Sequence, residues 1–145
     1  MKHILITIAA VLLVGCAPTL LHAKSRKYEV LVYGATPAGV CASVAAAREG
    51  ASVALLSPYD YVGGMLTGGL SLSDGNQCVR QLMGGLFFEF YQRIHKHYRE
   101  AGGTLNWESD LTKYNKWTNE PHVAEKVFND MLKEAGVDVC LENRL

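Results

Sequence analysis

The sequence predicts an α/β chain built on a parallel βαβ unit with flanking helices, and three observations carry that expectation. An apolar run, Tyr28-Glu29-Val30-Leu31-Val32-Tyr33, is followed directly by Gly34-Ala35-Thr36-Pro37-Ala38-Gly39 and then by an alanine-rich helical pattern. A second apolar run, Ser52-Val53-Ala54-Leu55-Leu56, comes soon enough to complete a βαβ unit of about thirty residues with a right-handed crossover. Later, a helical pattern stopped by Gly136 leads into a third run, Val137-Asp138-Val139-Cys140-Leu141.

The first run has the hydrophobic character of a strand inside a parallel sheet. Gly34 lets the chain leave it in a tight turn, and Gly39 lets the next helix approach the strand with no side chain between them. Such a helix start presents unpaired amides and a positive dipole end, which is where dinucleotide-binding units hold a pyrophosphate. Thr36 stands where that fingerprint has its middle glycine. It brings a hydroxyl and a Cβ to a place of close backbone approach, which is tolerated if the hydroxyl itself bonds the ligand.

The helix is expected over Ala38 to Glu49, where Ala42, Ala45, Ala46 and Ala47 accompany Val40 and Val44. Alanine is the best helix former, and its size permits close contact with the sheet. Gly50 ends the helix at the position favoured for a left-handed cap. The second strand closes at Ser57-Pro58. Dinucleotide sites usually carry a carboxylate here, about twenty residues past the first glycine, to accept the ribose hydroxyls. Ser57 is a weaker substitute, and Asp60 is a second candidate if the loop folds back.

Two Gly-Gly pairs follow in Val62-Gly63-Gly64-Met65-Leu66-Thr67-Gly68-Gly69-Leu70. Glycine loses more backbone entropy on folding than any other residue, so this density argues for a backbone that passes close to a ligand. A flexible linker would instead be rich in Ser or Glu and would lack Val62, Met65, Leu66 and Leu70. Beyond it, Leu86 to Glu100 reads as a helix whose stripe of Phe87, Phe90, Tyr91 and Ile94 faces the core. His95 and His97 fall on different faces and do not form a metal pair. Asn106 to Asn119 shows no period. Pro121 to Ala135 is a helix with proline in its first turn and Ala124, Val127, Phe128, Met131 and Leu132 on one face.

The chain has 145 residues, 49% of them apolar, and a formal net charge of zero. That is one ordinary globular domain, and it gives no electrostatic case for nucleic acid as a partner. Residues 1–23 read as a signal peptide: Lys2 precedes an apolar run, Ile4 to Val14, that is shorter than the ~20 residues of a bilayer span. Leu13-Val14-Gly15-Cys16 resembles a lipobox, with Cys16 the lipidated residue, and is favoured over cleavage after Leu21-His22-Ala23. The expected location is therefore periplasmic or cell-surface, with membrane attachment only through that lipid. No twin-arginine pair precedes the apolar run, so export before folding is expected. Cys41, Cys78 and Cys140 lack C-x-x-C spacing and suggest neither a disulfide framework nor a zinc site. Cys41 and Cys140 read as small buried hydrophobes.

Taken in order, Tyr28 to Gly50, the Gly63 to Leu72 loop and the helix opening Glu120-Pro121-His122-Val123-Ala124-Glu125 resemble the N-terminal part of bacterial FAD-dependent oxidoreductases of the FAD-oxidored type, in the glutathione-reductase-like class. The resemblance implies a partial Rossmann-like FAD-binding fold over residues 28–145. It implies that Gly34, Thr36, Pro37, Ala38 and Gly39 cradle the FAD pyrophosphate and that Ser57 replaces a ribose-binding Glu. It further implies that Gly63 and Gly64 approach the cofactor, that Thr67, Gly68 and Gly69 continue toward the flavin, and that Val139 to Leu141 border the adenine end. Members of the family run to several hundred residues, so the chain is expected to be a partial product, with one sheet edge and one helix face lacking their usual cover. Its small-molecule substrate is not legible, and no acid, base or nucleophile can be assigned; His122 is the residue to test. Two alternatives stand beside this reading. An NAD(P)-dependent dehydrogenase is disfavoured by the second glycine loop and by the lack of an Arg after the second strand. A non-catalytic surface lipoprotein, or remnant of a flavoprotein, is favoured by Thr36, Ser57 and the chain length.

Overall fold

The computed structural model describes residues 25–71, 84–102 and 119–145. The elements run β1 (Val30–Tyr33), α1 (Pro37–Arg48), β2 (Val53–Leu56), α2 (Gly64–Thr67), α3 (Gly85–Glu100), α4 (Pro121–Ala135) and β3 (Asp138–Cys140). The strands form one parallel sheet in the order β1-β2-β3, with Val30 opposite Val53 and Ala54 opposite Asp138. The α/β class expected from the sequence is therefore observed. Cys16 and the leader, Cys78, and most of the Asn106 to Asn119 segment lie outside the described residues.

Alternation sets the two faces of the sheet. Val30, Val32, Val53, Leu55 and Val139 join the core beneath α1 and α4, whereas Leu31 and Tyr33 are 55% and 48% exposed. The β1 run is continuously apolar, as expected of an interior strand, yet among the described residues it forms an edge, and β2 is the buried centre. An apolar run reports burial on at least one face, not rank within the sheet. Regular strand begins at Val30, and ahead of it the Tyr28 hydroxyl donates to the Asp138 carboxylate, which also pairs with Arg26 at 2.5 Å. The segment before β1 is thereby tied to β3.

The helical core follows the expected stripes. Phe90 stacks on Phe128 at 4.2 Å between ring centroids and meets Tyr91 edge-on at 5.1 Å, joining α3 to α4. Such pairs contribute roughly 0.5–1.5 kcal/mol beyond the area they bury. In α4, Val123, Ala124, Val127, Phe128, Met131 and Leu132 are buried, and Gly136 caps the helix at φ 75°. Helix, face and stop all match the sequence expectation.

An ionic network spans the outer edges of three helices. Arg48 of α1 grips Glu89 of α3 with both guanidinium nitrogens, at 2.7 and 2.8 Å, while Arg93 bridges Glu89 at 2.8 Å and Glu134 of α4 at 2.5 Å. Arg48, with Arg93 beside it, holds the Glu89 carboxyl down at about 2, from an ordinary value of 4.5. A carboxyl lowered in the folded state contributes its stability above pH 4.5 and loses it as pH falls toward about 2. Glu89→Gln is expected to cost on the order of 2 kcal/mol at neutral pH, after discounting for partial exposure. Chemical denaturation across that acid range checks it: the variant's stability should change less with pH than the wild type's.

Candidate nucleotide site

The two glycine bends meet. The Gly63 N–H donates to the Ala35 carbonyl at 2.7 Å, and a Cβ on Gly64 would stand 3.5 Å from both Thr36 Cα and Pro37 Cδ. Gly34 turns the chain at φ 108° after extending the sheet by donating to the Leu56 carbonyl at 2.7 Å. A Cβ on Gly39 would lie only 1.9 Å from the Gly34 carbonyl oxygen, so the absent side chain is what lets α1 start against the end of β1. This agrees with the sequence argument for both residues.

Thr36 is the N-cap of α1. Its backbone is extended and its Oγ1 accepts the Gly39 N–H at 3.2 Å. The hydroxyl expected to serve a ligand thus serves first as a cap, a role glycine's missing side chain could not fill. Pro37 has no N–H, and the Val40 N–H goes to the Thr36 carbonyl at 2.9 Å. Ala38 is left with the first-turn amide that the helix does not use.

Ser57 directly follows β2. It is 1% exposed, and its Oγ accepts the Tyr59 N–H at 3.2 Å, closing a local turn. Asp60 is exposed on that turn. Thr67 Oγ1 donates toward the Val62 and Gly64 carbonyls at 2.7 and 3.2 Å, so its hydroxyl holds the loop together. The loop contains the one-turn helix α2, closed by the Gly68 N–H donating to the Gly64 carbonyl at 2.8 Å. Glycine density concealed that turn from sequence reasoning. His122 is exposed at the start of α4, and Cys41 is half-buried on α1. Burial pushes the Cys41 thiol up, and the Glu89 carboxylate adds to it, so this cysteine is a poor nucleophile.

A groove of about 620 Å³ opens where the bends meet, with Thr36, Pro37, Gly64, Tyr59, Tyr61 and Phe87 among its lining residues. Sequence reasoning does not single out the two tyrosines; the signal available is a pair of aromatics placed just past a strand end. A Cβ built on Gly34 meets nothing within 4 Å, so the turn itself is open to a neighbour. Open backbone at the turn, an unused helix amide and an adjoining groove together fit an extended phosphate-bridged nucleotide.

The family model described as FAD dependent oxidoreductase matches residues 29–145, and the chain belongs to that family. Membership implies FAD as the cofactor. Among solved structures, the chain is similar to Thermovibrio ammonificans THI4, at 15% identity and a TM-score of 0.46, covering 97% of this chain and 45% of that one. It is also similar to a 2-naphthoyl-CoA reductase in complex with 2-naphthoyl-CoA, at 16% identity and a TM-score of 0.41, covering 83% of this chain and 12% of that one. The chain thus spans less than half the length of either. No curated protein matches it.

Proposed function

We propose that this chain is the FAD-binding N-terminal part of an FAD-dependent oxidoreductase and holds the cofactor's diphosphate at the start of α1, between the two glycine bends. The observation that carries this reading is their junction, with the Gly63 N–H on the Ala35 carbonyl at 2.7 Å beside a helix start whose Ala38 amide is unused. The Ala38 N–H donates to a phosphate oxygen, and the Thr36 hydroxyl, accepting from Gly39, keeps its own proton to donate. The dipole of α1 adds the equivalent of roughly half a positive charge at that point. The flavin, when bound, supplies the electron or hydride chemistry, while the protein supplies binding and orientation.

None of the described residues lining the groove is charged. Backbone dipoles therefore meet the diphosphate, and binding should depend only weakly on salt, because no exposed ion pair is there to be screened. Titration of the purified chain with FAD, followed by flavin fluorescence at low and high salt, tests the proposal. Saturable binding that shifts little between the two supports it; a colourless chain that ignores added FAD refutes it.

The same reading holds that the chain is exported and anchored through lipid on Cys16. Cys16→Ser is expected to move it from the membrane fraction to the soluble fraction. Retention of the variant in the membrane pellet would refute the anchor.

A further inference from the structure

We infer that the adenosine end of the dinucleotide is held by the ring pair Tyr59 and Tyr61, with Ser57 as the positioning residue that sets Tyr59. This rests on the FAD reading above and deepens it. Dinucleotide units place the adenosine next to the end of the second strand, where a carboxylate receives the ribose hydroxyls. This chain has no carboxylate at that point, and the serine found there is buried and turned toward its own loop. Recognition at this end therefore needs another source of free energy.

The two tyrosines offer one. Their ring centroids lie 5.8 Å apart and are tilted by 34°, and both line the groove that contains Thr36, Pro37 and Gly64. Tyr59 is 62% exposed, so its ring is not used to build the core. Its backbone is nevertheless fixed on both sides. The Tyr59 N–H donates to Ser57 Oγ at 3.2 Å, and the Tyr59 carbonyl accepts the Glu142 N–H at 3.1 Å. Ser57 is itself pinned: its N–H donates to the Cys140 carbonyl at 3.0 Å, and its carbonyl accepts the Asn143 N–H at 2.8 Å. An exposed aromatic ring on a tied-down backbone is a preorganised platform, on which little entropy remains to be lost when a flat heterocycle stacks. Base-on-aromatic stacking tolerates any base, because every base has a π-face.

The test compares FAD, FMN and ADP binding to the full chain and to four variants. Tyr59→Ala is expected to weaken FAD and ADP roughly 5- to 100-fold, the range that removing one stacked ring produces. FMN, which has no adenosine, should bind the variant as it binds wild type. Tyr59→Phe keeps the ring and should restore FAD affinity. Ser57→Ala should weaken FAD and ADP while leaving FMN unchanged, the pattern of a residue acting through Tyr59. Asp60→Asn should bind FAD as wild type does. If wild type binds FAD and Tyr59→Ala binds it equally well, or if Asp60→Asn is the variant that loses affinity, the inference is overturned and the FAD reading stands. If wild type binds ADP but not FAD or FMN, the FAD reading is what fails. If it binds none of the three, both fall. Because Tyr59 is exposed, unchanged circular dichroism should accompany its variants; a lost fold in Tyr59→Ala would overturn the inference by making the residue structural.

Discussion

Gly39→Ala is expected to destabilise the chain by about 3 kcal/mol and to remove FAD binding. The added Cβ would sit 1.9 Å from the Gly34 carbonyl oxygen, a backbone atom that cannot swing aside as a flexible side chain would. Either α1 retreats from the end of β1 or the Gly34 turn opens, and both move the Ala38 amide away from the junction. Thermal melting followed by circular dichroism, together with FAD titration of the variant below its melting range, reads the two effects separately. An alanine variant that melts and binds like wild type would show that the helix start tolerates a side chain there.

Gly63→Ala should be nearly as costly, for a different reason. The backbone at this residue has φ 104°, which L residues rarely adopt, and the new methyl would meet Thr67 Cγ2 at 2.3 Å and the Phe128 ring at 2.9 Å. Backbone strain plus overpacking amounts to about 2–4 kcal/mol. The two contributions separate in a double-mutant cycle with Thr67→Ala. Removing the threonine side chain makes room for the methyl but also deletes the hydroxyl's bonds to the Val62 and Gly64 carbonyls. The double variant should therefore lose less stability than the sum of the singles, with the φ strain remaining. Strict additivity in urea unfolding would contradict the steric argument.

These two residues also mark how far the site was legible. Gly39 is legible because its role is local: a strand end, a helix start and a missing Cβ between them are all contained in one short stretch. From sequence, Gly63 reads as backbone bared for a ligand. The structure adds a packing role, since its neighbours are Thr67 and Phe128, and the latter is remote in sequence. The place of Ser57 after β2 is legible, whereas the Tyr59 N–H that its Oγ accepts depends on the turn that follows. Helix α4 was legible from end to end, because apolar period, proline at the start and Gly136 at the stop agree. The short turn α2 was not, since Gly64 heads it and its closure depends on Thr67 and Gly68, not on helix propensity. Sequence reports local consistency well and long-range contact poorly.

The central claim concerns one amide. In ¹⁵N-resolved spectra of the chain, adding FAD should shift the Ala38 amide strongly, in the direction of a new hydrogen bond, and move Gly64 with it, while amides in the C-terminal half of α4 stay in place. FAD that binds while the Ala38 signal does not move would contradict the account, because the diphosphate would then lie somewhere other than the junction of the two bends.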